Sequence, residues 1–154
     1  MVIFAQKLEM SEKNYDPRMH TAEHILNQTM VRMFGCMRSK NTHIERRKSK
    51  CDYILPNPLA EGQISEIERE VNRVISLEME VTDELIPKSE AASFLDLSKL
   101  PPDAPDTLRV VRVGDYDACA CIGPHVTNTR EIGTFRIIST DFNNGVLRIR
   151  FKLV

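Results

Sequence analysis

The chain has 154 residues, of which 42% are apolar and 28% charged, and a formal net charge of -1. That balance fits one compact, water-soluble domain with its own core and excludes a protein that coats nucleic acid through bulk positive charge. No apolar run reaches the ~20 residues that cross a bilayer, and the opening MVIFAQKLEM runs into Glu9 and Glu12 where a secretory signal would end in small residues. A cytoplasmic protein without a membrane span is therefore expected. The cysteines Cys36, Cys51, Cys119 and Cys121 are better explained by metal binding or packing than by a disulfide framework.

Asp16-Pro17 combines an N-cap with proline at the first helical position, and Gly35 suits the residue just past a helix end, so a helix is expected from about Pro17 to Phe34. Its apolar residues Ala22, Ile25, Leu26, Met30, Met33 and Phe34 recur at spacings of three and four and form one packing stripe. Residues 41 to 55 read as a short basic hairpin. From Arg32 to Lys50 there are seven basic residues against Glu45 alone, a segment able to meet phosphates. Asn57-Pro58 then opens a second helix whose Ile64, Ile67, Val71, Val74 and Ile75 form another stripe, ending before the strand-like MEVTDEL. The ten acids and three bases from Glu61 to Asp96 read as a solvated helix face and its flanks.

After Pro87 a short helical piece, KSEAASF, leads into the proline-rich loop LPPDAPD, and Leu108 to Val113 leave it as a β-branched strand. TFRIISTDF and VLRIRFKLV alternate on either side of Asn143-Asn144-Gly145, a hairpin turn. Helices and strands do not alternate regularly. The class expected is α+β, a largely antiparallel sheet packed with two main helices in a single domain spanning 1–154.

His20 and His24 lie four apart on the first helix, so both imidazoles leave one face about a turn apart, the spacing at which two can grip one cation. An HxxxH pair alone is weak. Cys121-Ile122-Gly123-Pro124-His125 adds a thiolate and an imidazole on either side of a Gly-Pro turn, able to fold back on one point. Together His20, His24, Cys121 and His125 make a plausible tetrahedral N/S set for zinc.

RMHTAEHIL, followed later by YDACACIGPHVTNTREIGTFRI, resembles the zinc motifs of the alanyl- and threonyl-tRNA synthetase editing domain. The resemblance implies that His20 and His24 fill the HxxxH slots, that Cys121 and His125 fill the CxGxH slots, and that seryl-tRNA is deacylated. A chain of this length is similar to small trans-editing proteins. Pro124 is similar to the threonyl type, whereas Glu131-Ile132-Gly133 with Phe135 looks alanyl-like, so both cognate tRNAs stay open. The glycine-rich module of longer alanyl-type editing proteins is not found.

The catalytic group expected on this basis is His20, His24, Glu23 and Thr21. Glu23 is either a general base or an orienting neighbour. It also turns the helix motif into HxxEH, the pattern of inverted zinc peptidases, which sets up a competing enzyme class. A third alternative is a non-catalytic module in which zinc staples the fold and the surface binds tRNA or a synthetase. Four protein ligands usually mark a closed structural site, while a catalytic zinc keeps an open position. Cys121 is the expected fixed anchor and a histidine the ligand that yields. Thr21 and Thr42 are candidate partners for a substrate hydroxyl, and Arg46, Arg47, Lys48, Lys50 and Arg130 are candidates for the tRNA backbone.

Overall fold

The computed structural model describes residues 15–98 and 100–154. The N-terminal stretch set against a secretory signal lies outside the described residues. The first helix, α1 (Pro17–Phe34), begins and ends on local chemistry. The Asp16 carboxylate accepts from the backbone N–H of Arg18 and Met19, at 2.9 and 3.1 Å, and left-handed Gly35 (φ 66°) returns its N–H to Val31 O. More than one stripe of this helix is buried: Thr21, Glu23, His24 and Asn27 are enclosed along with Ala22, Ile25 and Leu26.

Strands β1 (Asn41–His43) and β2 (Ser49–Ile54) pair antiparallel with Thr42 opposite Cys51, and this is the hairpin expected over 41–55. Two further strands, β6 (Phe135–Asn143) and β7 (Val146–Leu153), complete an antiparallel sheet ordered β1-β2-β7-β6. Asn144 and Gly145 join β6 to β7 with φ values of 51° and 78°, the left-handed pair that a tight hairpin needs. The inward faces of β2 and β7 place Cys51, Tyr53, Leu147, Ile149 and Phe151 in one core with Met19, Ala22, Ile25, Leu26 and Met30 of α1.

The second helix, α2 (Gln63–Ser76), starts later than Asn57-Pro58. Gly62 stands immediately before it in a left-handed conformation (φ 86°), which cannot continue a right-handed helix. Residues 60–63 instead close a turn through Gln63 N–H to Ala60 O at 3.1 Å. The buried stripe is accordingly Ile67, Val71, Val74 and Ile75, with Ile64 left 41% exposed.

The three strands that come next after α2 form a second antiparallel sheet, so the antiparallel strands divide into two sheets. Its order is β3 (Val81–Pro87), β4 (Thr107–Val113), β5 (Asp117–Ala120). A one-turn helix, α3 (Lys88–Ala91), covers a small satellite core of Ile86, Ala91, Leu108 and Val110. Packing of α1 against β4 and β5 brings the His-bearing helix beside the strand that leads to Cys121.

Helix α2 also protects the edge strand β6. The Asn72 side chain donates to Phe135 O at 2.9 Å and accepts from Phe135 N at 2.8 Å, and Glu68 Oε1 accepts from Ile137 N at 2.8 Å. Edge groups that would otherwise need water or another chain are thus paired internally. We expect Asn72→Ala to lower the unfolding free energy by about 1–3 kcal/mol, read from denaturant midpoints at constant slope. A change within about 0.3 kcal/mol would mean that solvent satisfies this edge equally well.

Candidate metal centre and cavity

The loop that leaves β5 is held by β4. Arg109 donates through Nη1 to Cys121 O at 3.0 Å and Gly123 O at 2.8 Å, while its Nε pairs with Asp83 at 2.8 Å. The loop then lies directly on α1. A Cβ at position 123 would sit 2.6 Å from His20 Cε1 and 2.7 Å from the Tyr15 ring, so only glycine fits without displacing the imidazole. This approach sets Pro124 O 2.9 Å from His20 Nδ1.

As a result, one donor atom from each of His20, His24, Cys121 and His125 falls within 4.8 Å of all the others. Cys121 Sγ is 3.2 Å from His20 Nε2 and 3.5 Å from His125 Nε2. A small tetrahedral cation with metal–nitrogen distances of about 2.0–2.1 Å and a metal–sulfur distance of about 2.3 Å separates such atoms by roughly 3.5 Å. The donor set and its spacing therefore fit a metal ion. The rings pack closely, with His20 and His125 stacked at 4.0 Å between centroids and His24 edge-on to both.

Neighbouring groups choose the tautomers. Pro124 O can only accept, so His20 Nδ1 carries a proton and Nε2 offers its lone pair to the cluster. Thr21 Oγ1 has a single proton and donates it to Pro17 O at 3.0 Å, so it accepts from His125 Nδ1–H at 2.9 Å and from Val126 N–H at 3.2 Å. His125 Nε2 is thereby left to the cluster. His24 Nδ1 faces Asp117 Oδ2 at 3.6 Å and has no hydrogen-bond partner among the described residues.

Electrostatics prepare the same state. Burial alone would raise the Cys121 thiol, but the charge on His24 and hydrogen bonds from His125, His20 and His24 outweigh it and bring the group down to about 2. Burial opposes charge on His24, yet the Cys121 thiolate and the Asp117 carboxylate raise it well above the usual imidazole range. Burial, joined by the charges of His24 and His20, lowers His125 to about 3 against the pull of the thiolate.

His20, His24 and Cys121 of the cluster line a cavity of about 810 Å³, walled by α1, by residues 36–40 with Thr42, by residues 94–96 with Leu100, and by β5; His125 is not among the lining residues. Glu23 and Thr42 line it; Thr21, fully buried with its hydroxyl bonded to Pro17 O and His125 Nδ1, does not. Glu23 Oε2 accepts from Asn27 Nδ2 at 2.6 Å, and Asn27 Oδ1 accepts from Tyr53 Oη at 2.7 Å and from Ser39 N at 3.3 Å. Arg46, Arg47 and Lys48 are exposed on the β1–β2 connection, Lys50 is half-buried in β2, and Arg130 is exposed in the short 3-10 turn Thr129–Glu131. None of these five lines the cavity.

Two members of the basic run are not available to phosphates. Arg32 donates to Tyr116 O at 2.7 Å with its guanidinium 4.2 Å over the Tyr116 ring. Arg38 grips Asp117 with both terminal nitrogens, at 2.6 and 3.2 Å. Asp117, only 5% exposed, also accepts from Gln28 and is the functional neighbour that sequence reading missed. Its carboxyl is held below the usual range, because His24 and Arg38 together overcome the effect of burial. The available signal was an aspartate inside a strand, where that residue is depleted.

Residues 108–150 match the family described as the threonyl and alanyl tRNA synthetase second additional domain. The chain is 32% identical over 136 residues to an alanine–tRNA ligase of Treponema denticola, an alignment covering 87% of this chain and 23% of that protein. It is 34% identical over 134 residues to the alanine–tRNA ligase of Fervidobacterium nodosum, covering 86% of this chain and 16% of the relative. With the alanine–tRNA ligase of Petrotoga mobilis it shares 30% identity over 146 residues, 94% of this chain and 16% of the relative. The chain thus spans less than a quarter of the length of these relatives.

We expect Gly123→Ala and Thr21→Val each to weaken metal affinity by about 10–100-fold, measured by competition with a chelator, with far-UV circular dichroism unchanged. Unaltered affinity in both would show that neither the loop contact nor the His125 hydrogen bond orients the donors.

Proposed function

The chain belongs to the family of the threonyl and alanyl tRNA synthetase second additional domain, and from that premise we propose that it is a zinc-dependent aminoacyl-tRNA deacylase that removes serine from seryl-tRNA(Ala) in trans. The observation that carries this reading is the convergence of His20, His24, Cys121 and His125 on one point, with the first three lining a cavity. The alanine-specific cognate draws support from the relatives, which are alanine–tRNA ligases. A peptidase would use Glu23 and the two helix histidines but would leave Cys121 and His125 without a role.

The bond to be broken is an activated ester, so holding substrate and water in line matters more than forcing the bond. A bound zinc ion supplies Lewis acidity and lowers the pKa of a coordinated water. The chain's own residues do the positioning. Thr21 and Pro124 fix the rings of His125 and His20. Thr42 and Ser39, whose hydroxyls lie 2.9 Å apart at the cavity wall, are the proposed partners of the serine hydroxyl. A pocket that hydrogen-bonds that hydroxyl rejects alanine, which would leave buried polar groups unpaired. The exposed Arg46, Arg47, Lys48, Lys50 and Arg130 are the proposed contacts to the tRNA backbone.

The decisive assay offers the zinc-loaded chain seryl-tRNA(Ala), seryl-tRNA(Thr) and alanyl-tRNA(Ala). We expect serine to leave tRNA(Ala) at least ~100-fold faster than alanine does, and chelation of the metal to stop release. Release no faster than spontaneous hydrolysis would remove the enzyme reading. Replacing Arg46, Arg47 and Lys48 together by alanine should weaken tRNA binding and flatten its dependence on log salt by about 2 in slope. An unchanged slope would place the backbone contacts elsewhere.

A further inference from the structure

Two carboxylates are buried among the described residues, and they are treated differently. Asp117 is neutralised by the paired nitrogens of Arg38. Glu23, 8% exposed, has no Lys or Arg nitrogen within 4.0 Å among the described residues; the basic nitrogen they place within that distance is His24 Nε2, 3.8 Å from Oε1, on a ring that belongs to the candidate metal set. One oxygen, Oε2, is held by the Asn27 amide at 2.6 Å. The other oxygen has no hydrogen bond within the described protein, and the residue lines the cavity beside the histidine cluster. A carboxylate taken out of water is costly unless a cation meets it.

The orientation of Glu23 is fixed over three residues. Tyr53, buried on the sheet, donates to Asn27 Oδ1, and Ser39 N–H donates to the same atom, which forces the Asn27 amide to present its nitrogen to Glu23. A carboxylate held this way is preorganised for one ligand position. In an α-amino acid ester the ammonium nitrogen is separated from the ester carbonyl carbon by a single carbon. An anion next to the metal cluster that captures the ammonium therefore delivers the carbonyl to the cluster.

We propose that Glu23 is the receptor for the α-ammonium group of the aminoacyl ester, so that the cavity takes esters of free α-amino acids and rejects N-acylated ones. The identity of the ligand rests on the deacylase reading above. Glu23 has a different duty here from a general base, since a base acts on water and is indifferent to acylation of the substrate nitrogen.

The test uses the full zinc-loaded chain and two hydrolysis-resistant probes, 3′-deoxy-3′-(L-serylamino)adenosine and its N-acetyl derivative, with binding followed by calorimetry. Wild type should bind the free amine at least ~10-fold more tightly than the acetylated probe, the loss expected when a buried charge forfeits its partner. Glu23→Gln should bring the two affinities within about twofold while retaining its metal, and Glu23→Asp, which keeps the charge, should restore part of the preference. Wild type that binds both probes equally, or neither, overturns the proposal, as does a Glu23→Gln chain that keeps the preference or loses its metal. Should Glu23→Gln not fold, the wild-type comparison decides alone. Selective binding of the free amine without serine release from seryl-tRNA would sink the deacylase and leave the receptor standing; equal release from seryl- and N-acetylseryl-tRNA would do the reverse.

Discussion

The contact between the loop after β5 and helix α1 organises the polar interior. Residues 101 apart in the chain meet there, with Cys121 Sγ 3.2 Å from His20 Nε2 and the loop backbone pressed against the same ring at Gly123 and Pro124. The helix offers two donors at one turn of spacing, but a pair on one face cannot enclose a cation. The loop supplies the remaining two, and Arg109 from β4 sets its height above the helix. Packing of α1 across both sheets is therefore the means by which two short motifs become one centre.

Burying this set creates an electrostatic problem that the fold answers in layers. The thiolate is met by the imidazoles, His24 by Asp117, and Asp117 by Arg38. Each group in that chain would be costly on its own, and each is stabilised by the next. A divalent ion held by His20, His24, Cys121 and His125 would need the thiol deprotonated and the imidazoles neutral, so its uptake would be coupled to proton release. The same layering explains why Arg38 is withdrawn from the basic run. Arg46, Arg47 and Lys48 of that run stay exposed on the β1–β2 connection.

Much of the fold was legible because its signals are local. Asp16-Pro17 and Gly35 bound α1 as their chemistry dictates, and Asn144-Gly145 makes the turn its residues favour. The HxxxH and CxGxH spacings each carry half of the metal set, and their pairing follows from one cation needing four donors. Features set by distant partners were not legible. Nothing near Gly62 in sequence announces its left-handed backbone, which delays α2 past Asn57-Pro58. The division of the strands into two sheets depends on β5, four residues long and opened by an aspartate whose reason for being there, Arg38, lies 79 residues away. Thr21 reads as a substrate contact from its position beside His20, yet its hydroxyl is committed to Pro17 and His125. Glu23 was visible as a chemical group, but its setting depends on Tyr53 from the opposite sheet.

The central claim is that three imidazoles and one thiolate enclose a single metal ion, and X-ray absorption at the metal edge of the zinc-loaded chain tests it most directly. The spectrum should fit one sulfur at about 2.3 Å and three nitrogens at about 2.0–2.1 Å, at one metal per chain, with the sulfur contribution lost in Cys121→Ser. A first shell without sulfur, or a chain that folds and takes up no metal, would contradict the account.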